Sequence, residues 1–238
     1  MSYGDLIYII ENIADENAEN SYNEFFNLSR EELLTEKEVV ETVVRIRQRL
    51  CPSNSPVLRS YALLLLASAV DSAVKTKTSS SEVSSLVQFL ISEVSDLDDF
   101  RNFDEQGYYI HFVSHLAYLG HALSDAGLLT KGDAATLARE ICLMYGRTKS
   151  VYFLDEPFVV GGLILMLCKG QAELLNSALE VFHIERVEQE LGLVQRAIFI
   201  ANYNYLCMGI SELNAKYAIV PDAPIHKYLD KILDMFRP

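Results

Sequence analysis

The sequence predicts an all-α protein of stacked helical hairpins, either a HEAT- or armadillo-like α-solenoid or a compact helical array. Three observations carry that expectation. Helix start signals recur at nearly regular intervals, and apolar residues recur between them with a helical period. No sustained period-two alternation with hairpin turns occurs in the 238 residues. Half the residues are apolar, enough to bury a substantial core without disulfide or metal. A single helical domain over 1–238 is expected, with 1–28 a peripheral N-terminal helical segment followed by the rest of the array.

Taken in order, Ser29-x-x-Glu32 and Thr35-x-x-Glu38 fit the capping box, in which hydroxyl and carboxylate reciprocally satisfy free amide donors. The basic run "RIRQRL" at 45–50 follows an acid-rich stretch, as suits cations at a helix carboxyl end, where the dipole favours them. Ser55 before Pro56 suits an N-cap with proline at the first helical position. "KTKTSSS" at 75–81 is a hairpin turn, and Ser79-x-x-Glu82 is another box. Leu86, Phe89, Leu90, Val94 and Leu97 keep a helical period, as do Leu137, Ile141 and Met144 after Thr130-x-x-Asp133. Asp155 and Asp222 each precede a proline by two residues. Gly127, Gly146, Gly170 and Gly192 mark helix ends, since glycine accepts the left-handed cap conformation.

Helix starts near 55, 80, 106, 130 and 155 imply a hairpin about every 50 residues. "SPVLRSYALLLLAS" from Ser55 and "DEPFVVGGLILMLC" from Asp155 echo one another. Each opens with a cap and a proline and runs into four large apolar residues, Leu63–Leu66 and Leu163–Met166. Hydrophobicity on all sides marks inner helices, and the intervening helices keep the polar faces of an outer layer. The pair Gly161-Gly162 inside the second block suits close approach of a neighbouring helix.

Composition narrows the function. Twenty basic against thirty-three acidic residues leave a net charge of −13, which opposes phosphate backbones, so no nucleic-acid partner is expected. The acidic amino-terminal stretch lacks the basic flank and cleavage site of an export signal. No run reads as a membrane span, so no membrane partner is expected. The four cysteines, Cys51, Cys142, Cys168 and Cys207, form no C-x-x-C pair and read as reduced thiols in a cytoplasmic protein. No phosphate-binding loop, dinucleotide fingerprint or nucleophile elbow occurs.

One stretch is chemically distinctive, "YYIHFVSHLAYLGH" at 108–121. On a helix at about 100 degrees per residue, His111 and His115 lie about 40 degrees apart, with Tyr118 between them and Asp104 beside His111. His115 borders the buried face, His111 sits farther out, and His121 lies on another side. Two such imidazoles can ligate zinc, with carboxylates from Asp104 or Glu105, or from Asp155 and Glu156 at another helix start. Phe112 stands where the glutamate of H-E-x-x-H would be, so the activating base is missing from the motif. The other readings are a polar binding cleft formed by His111, His115, Tyr118 and Tyr108, and structural histidines hydrogen-bonded near the core. The last fits best, so neither metal nor other cofactor is expected.

The stretches "SPVLRSYALLLLASAV", "GYYIHFVSHLAYL" and "DEPFVVGGLILMLCKG", in that order over roughly residues 30–170, resemble an uncharacterised all-helical bacterial family, domain of unknown function 2785. The resemblance implies a helical-repeat fold and no established activity. The expected function is a cytoplasmic helical-repeat module that binds a protein or small-molecule ligand. The alternative is a metal-dependent hydrolase or other enzyme with its cleft at His111 and His115.

Overall fold

Helix follows helix through the computed structural model, which describes residues 3–31, 34–97, 110–147, 150–152, 155–181, 192–221 and 225–234; among these residues no strand occurs. The chain divides into two compact units, residues 1–90 with 101–128 and residues 91–100 with 129–238.

The first unit contains α1 (Tyr3–Asn12), a 3-10 turn (Asp15–Asn17), α2 (Ala18–Glu31), α3 (Glu36–Arg49), α4 (Pro56–Thr76), α5 (Ser81–Ser84), the start of α6 (Leu86–Asp96) and α7 (Phe112–Asp125). Its centre is α4, against which α2, α3 and α7 all pack. Leu63, Leu65 and Leu66 are wholly buried there, as expected for a helix with no polar face. By length and composition α4 could cross a membrane, but 67 % of its most apolar stretch is buried inside the protein, so core packing already accounts for its hydrophobicity. Among its buried polar residues, Ser72 Oγ lies within hydrogen-bond reach of Ser29 O and Ser68 O, at 3.3 and 3.2 Å. Leu6 and Phe25 bring α1 and α2 into the same core.

Local signals explain the starts of α3, α4 and α5. Thr35 N donates to Glu38 Oε2 at 2.8 Å, and Glu38 N donates back to Thr35 Oγ1 at 3.4 Å, completing the box before α3. Leu58 N donates to Ser55 Oγ at 3.1 Å, with Pro56 opening α4. The next cap is Ser80, one residue later than expected, accepting from Val83 N at 3.2 Å. Ser29 does not open a helix. It lies within α2 and its hydroxyl bonds back to Phe26 O at 3.0 Å. Arg47 and Arg49 do sit at the carboxyl end of α3. Arg49 also reaches the carboxyl end of α1, donating to Ile10 O and Glu11 O at 2.9 and 2.6 Å.

The second unit contains the rest of α6, then α8 (Lys131–Arg147), α9 (Glu156–Leu167), α10 (Ala172–Leu179), α11 (Leu193–Tyr217) and α12 (Ile225–Asp234). Thr130 and Asp133 make both bonds of a capping pair at the start of α8, each at 3.1 Å. Asp155 occupies the cap position of α9 without a side-chain cap bond. Leu163, Ile164 and Leu165 are buried in α9, which packs against α8 and α11. Asn202 on α11, wholly buried, accepts from Tyr152 N at 2.7 Å and donates to Ser150 O at 2.8 Å. Cys142, Cys168 and Cys207 are buried free thiols, whereas Cys51, in the first unit, is exposed.

The crossing of α9 and α11 is set by two glycines. A Cβ on Gly161 would meet Ile210 N at 3.1 Å, and one on Gly209 would meet Pro157 O at 2.6 Å. Gly161 therefore does what its place in an apolar helix suggested, and Gly209 is its counterpart. Gly127 and Gly170 end helices with φ of +68 and +69. Gly146 instead lies inside α8, and Gly192 precedes α11 as its N-cap.

Two expectations test this packing. Leu65→Ala and Leu165→Ala should each cost on the order of 2–5 kcal/mol, read as a lowered urea midpoint. Gly209→Ala should destabilise by about 1–3 kcal/mol through overpacking, although alanine is the better helix former by about 1 kcal/mol. Gly161→Ala should cost less, because its neighbours leave more room.

Candidate functional site

The histidine pair is brought together, but not on one helix as expected. The helix begins at Phe112, and His111 is its N-cap, with φ 31 and ψ 19 in the left-handed region that few residues other than glycine adopt. The i, i+4 spacing survives across this start, since His115 N donates to His111 O at 2.9 Å. The two imidazoles stack with centroids 5.4 Å apart and planes 16° from parallel. His115 is buried and His111 partly exposed, in the order the pattern predicted. Tyr118 is 43 % exposed. Asp104, Glu105 and Tyr108 lie outside the described residues.

His115 is held from α4. Ser60, wholly buried, donates its hydroxyl proton to Ile110 O at 2.6 Å. That hydroxyl has one proton and it is spent, so the contact of Ser60 Oγ with His115 Nδ1 at 2.8 Å needs the imidazole's own proton. Ser60 O, 3.0 Å from Nδ1, can only accept and requires the same. His115 is thus the neutral tautomer with hydrogen on Nδ1 and a lone pair on Nε2. Burial first, and the neighbouring His111 second, lower its pKa from 6.5 to about 3, although the bond to Ser60 O works the other way.

The pair is one end of a longer series of rings in the first unit. Tyr61 on α4 meets His115 edge-on at 5.1 Å. Tyr22 on α2 lies 6.5 Å from Tyr61 and 5.9 Å from Phe26, over which Arg30 is placed at 5.2 Å. Phe26, Tyr22, Tyr61 and His111 are each partly exposed, so the series runs along the surface of α2, α4 and the start of α7. Burial holds the Tyr22 and Tyr61 phenols above their ordinary value, keeping them neutral.

Ser60, Tyr61, Tyr22 and the Ile110 carbonyl are parts of this site that the sequence reading did not assign. A signal existed for Ser60: a polar residue inside the most apolar helix must find a partner. None existed for Tyr22, whose approach depends on how α2 packs against α4. Of the carboxylates considered as further metal ligands, Asp104 and Glu105 lie outside the described residues, and Asp155 and Glu156 belong to the second unit. No group of three or more His, Cys, Asp or Glu side chains there is placed to hold a metal ion. Glu156 is buried at the start of α9, in the second unit.

The depressed pKa of His115 has a measurable consequence. Between about pH 6.5 and pH 3 the unfolded chain protonates this histidine and the folded protein does not, so the unfolded state binds the extra proton. Stability from this group is therefore complete above that window and falls with pH inside it, by about 1.4 kcal/mol per pH unit. His115→Gln should lose less stability than the parent chain between about pH 6 and pH 4 in urea titrations. Parallel losses would show that this histidine is not the group responsible.

No family model matches the chain, and no curated protein and no solved structure matches it either.

Proposed function

We propose that the protein is a helical binding module whose recognition surface is the ring series Phe26–Tyr22–Tyr61–His115–His111 of the first unit. The observation that carries this reading is a run of partly exposed aromatic rings from α2, α4 and the start of α7, which includes a buried imidazole held neutral by Ser60. Such rings offer large, rigid contact area at low entropic cost, as binding surfaces do. Catalysis by the serine is not favoured. Ser60 is fully buried and its proton is committed to Ile110 O, so it can neither reach a substrate nor be activated through Nδ1.

The finer expectations belong to the same reading. A repeat organisation is supported by the likeness of α4 and α9, each with a proline in its first turn and a run of large buried apolar residues. The net charge of −13 supports a protein or small-molecule ligand over nucleic acid, and the buried free thiols suit a cytoplasmic setting.

A screen of one- and two-ring aromatic fragments by protein-observed NMR tests the reading. Binders should move the resonances of Tyr61, His111 and His115, and Tyr61→Leu should weaken them roughly tenfold or more, about 1.4 kcal/mol. Fragments that collect elsewhere and ignore Tyr61→Leu would defeat it.

A further inference from the structure

The binding reading names a surface; the protons around His115 restrict the chemistry of a ligand for it. Three groups share the interior side of this imidazole: Ser60 Oγ, Ser60 O and, behind the hydroxyl, Ile110 O. Two of these are carbonyl oxygens, and the hydroxyl's one proton goes to Ile110 O, so only Nδ1 can supply a proton between Ser60 and His115. The proton position is therefore fixed by buried partners and does not depend on a ligand. Nε2 is left as a lone pair, and no hydrogen bond among the described residues reaches it.

His115 keeps 6 % of its surface accessible, whereas Ser60 keeps none. Ser60 closes the Nδ1 edge, and the rings of Tyr61 and His111 stand against the imidazole at 5.1 and 5.4 Å. Nε2 has no hydrogen-bond partner among the described residues and is not one of the fully buried unpaired side-chain atoms there, so it keeps part of that accessible surface. An acceptor on a neutral ring cannot offer a proton to a carboxylate or phosphate, so anions gain nothing here. At the far end of the series a cation is already in place, Arg30 over Phe26 at 5.2 Å.

We infer that His115 Nε2 is a specificity-determining acceptor, and that the ligand is a neutral planar ring bearing an O–H or N–H donor, such as a phenol or an indole. This rests on the binding reading above. The ring of the ligand lies among Tyr61, Tyr22 and His111, and its donor closes on Nε2. A site with a fixed, buried acceptor discriminates against a ligand lacking the donor, since the acceptor is then desolvated without a partner.

The test uses the intact chain, with histidines labelled in nitrogen-15, and three probes of one shape: phenol, anisole and benzylammonium. Before any addition, long-range proton–nitrogen spectra at pH 7 should show His115 with a protonated Nδ1 and an unprotonated Nε2. Phenol should then shift Nε2 and bind roughly tenfold or more tightly than anisole, which keeps the ring and loses the donor. An Nε2–H tautomer or an imidazolium at pH 7 overturns the inference. Equal affinity for phenol and anisole overturns it while leaving the binding surface standing, and tighter binding of benzylammonium reassigns the site to cations. If none of the three binds at millimolar concentration, the binding reading falls and the inference with it. Because all arms use the unaltered protein, no outcome depends on whether a His115 variant folds.

Discussion

A helix whose large apolar residues are spread around its axis cannot rest on a surface by one face, and this requirement governs both units. Leaving α4 with one face in water would expose leucine side chains whose burial is worth about 1.5–3 kcal/mol each. Three helices therefore gather round it, and each needs only one apolar stripe to do so. In the second unit α9 imposes the same demand and α11 answers it at closer range. Gly161 and Gly209 remove the side chains that would hold the two backbones apart. The amphipathic helices are thus followers in packing, even where they carry the clearest capping signals.

The same constraint shapes the candidate site. Ser60 lies one turn into α4, on a helix that must be enclosed, so its hydroxyl and the imidazole from α7 are enclosed with it. A buried polar atom left without a partner costs about 1–3 kcal/mol, and the arrangement meets that demand locally. The hydroxyl satisfies Ile110 O, and Nδ1–H satisfies both oxygens of Ser60. The left-handed turn at His111 sits between Ile110 and the helix, so the carbonyl that takes the serine proton is the last before the chain turns into α7. Local backbone strain and the buried hydrogen bonds are parts of one feature, and removing either group unbalances the other.

This also explains which parts were legible in the sequence. Thr35 with Glu38, Ser55 with Pro56, and Thr130 with Asp133 are local devices, and each opens a helix where its residues stand. Ser29 carries the same pattern but lies in α2, where its hydroxyl bonds back to the preceding turn; the pattern cannot tell a cap from an interior serine. The four-residue apolar blocks located the buried helices because no neighbouring information was needed. The histidine pair was legible as a spacing, and its relative burial followed the apolar face. Its helix start was not, since nothing at His111 is a capping residue and histidine at positive φ leaves no pattern in sequence. Gly209 and Tyr22 were illegible for a different reason, as their roles exist only once a second helix is set against them.

A histidine can serve a site as acid, base, ligand or fixed acceptor, and its surroundings select among these. Acid–base work at neutral pH needs an imidazole that gains and loses its proton there, and burial removes His115 from that range. A nucleophilic serine needs Nε2 and an exposed hydroxyl, whereas Ser60 meets Nδ1 and is enclosed. Metal ligation would use the lone pair on Nε2 and needs further ligands; no set of three or more His, Cys, Asp or Glu side chains is placed for it among the described residues, and Asp104 and Glu105 lie outside them. The fixed acceptor proposed for His115 is a role that needs neither titration nor a second protein ligand. Neighbouring rings to exclude water are all it asks, and Tyr61 and His111 supply them.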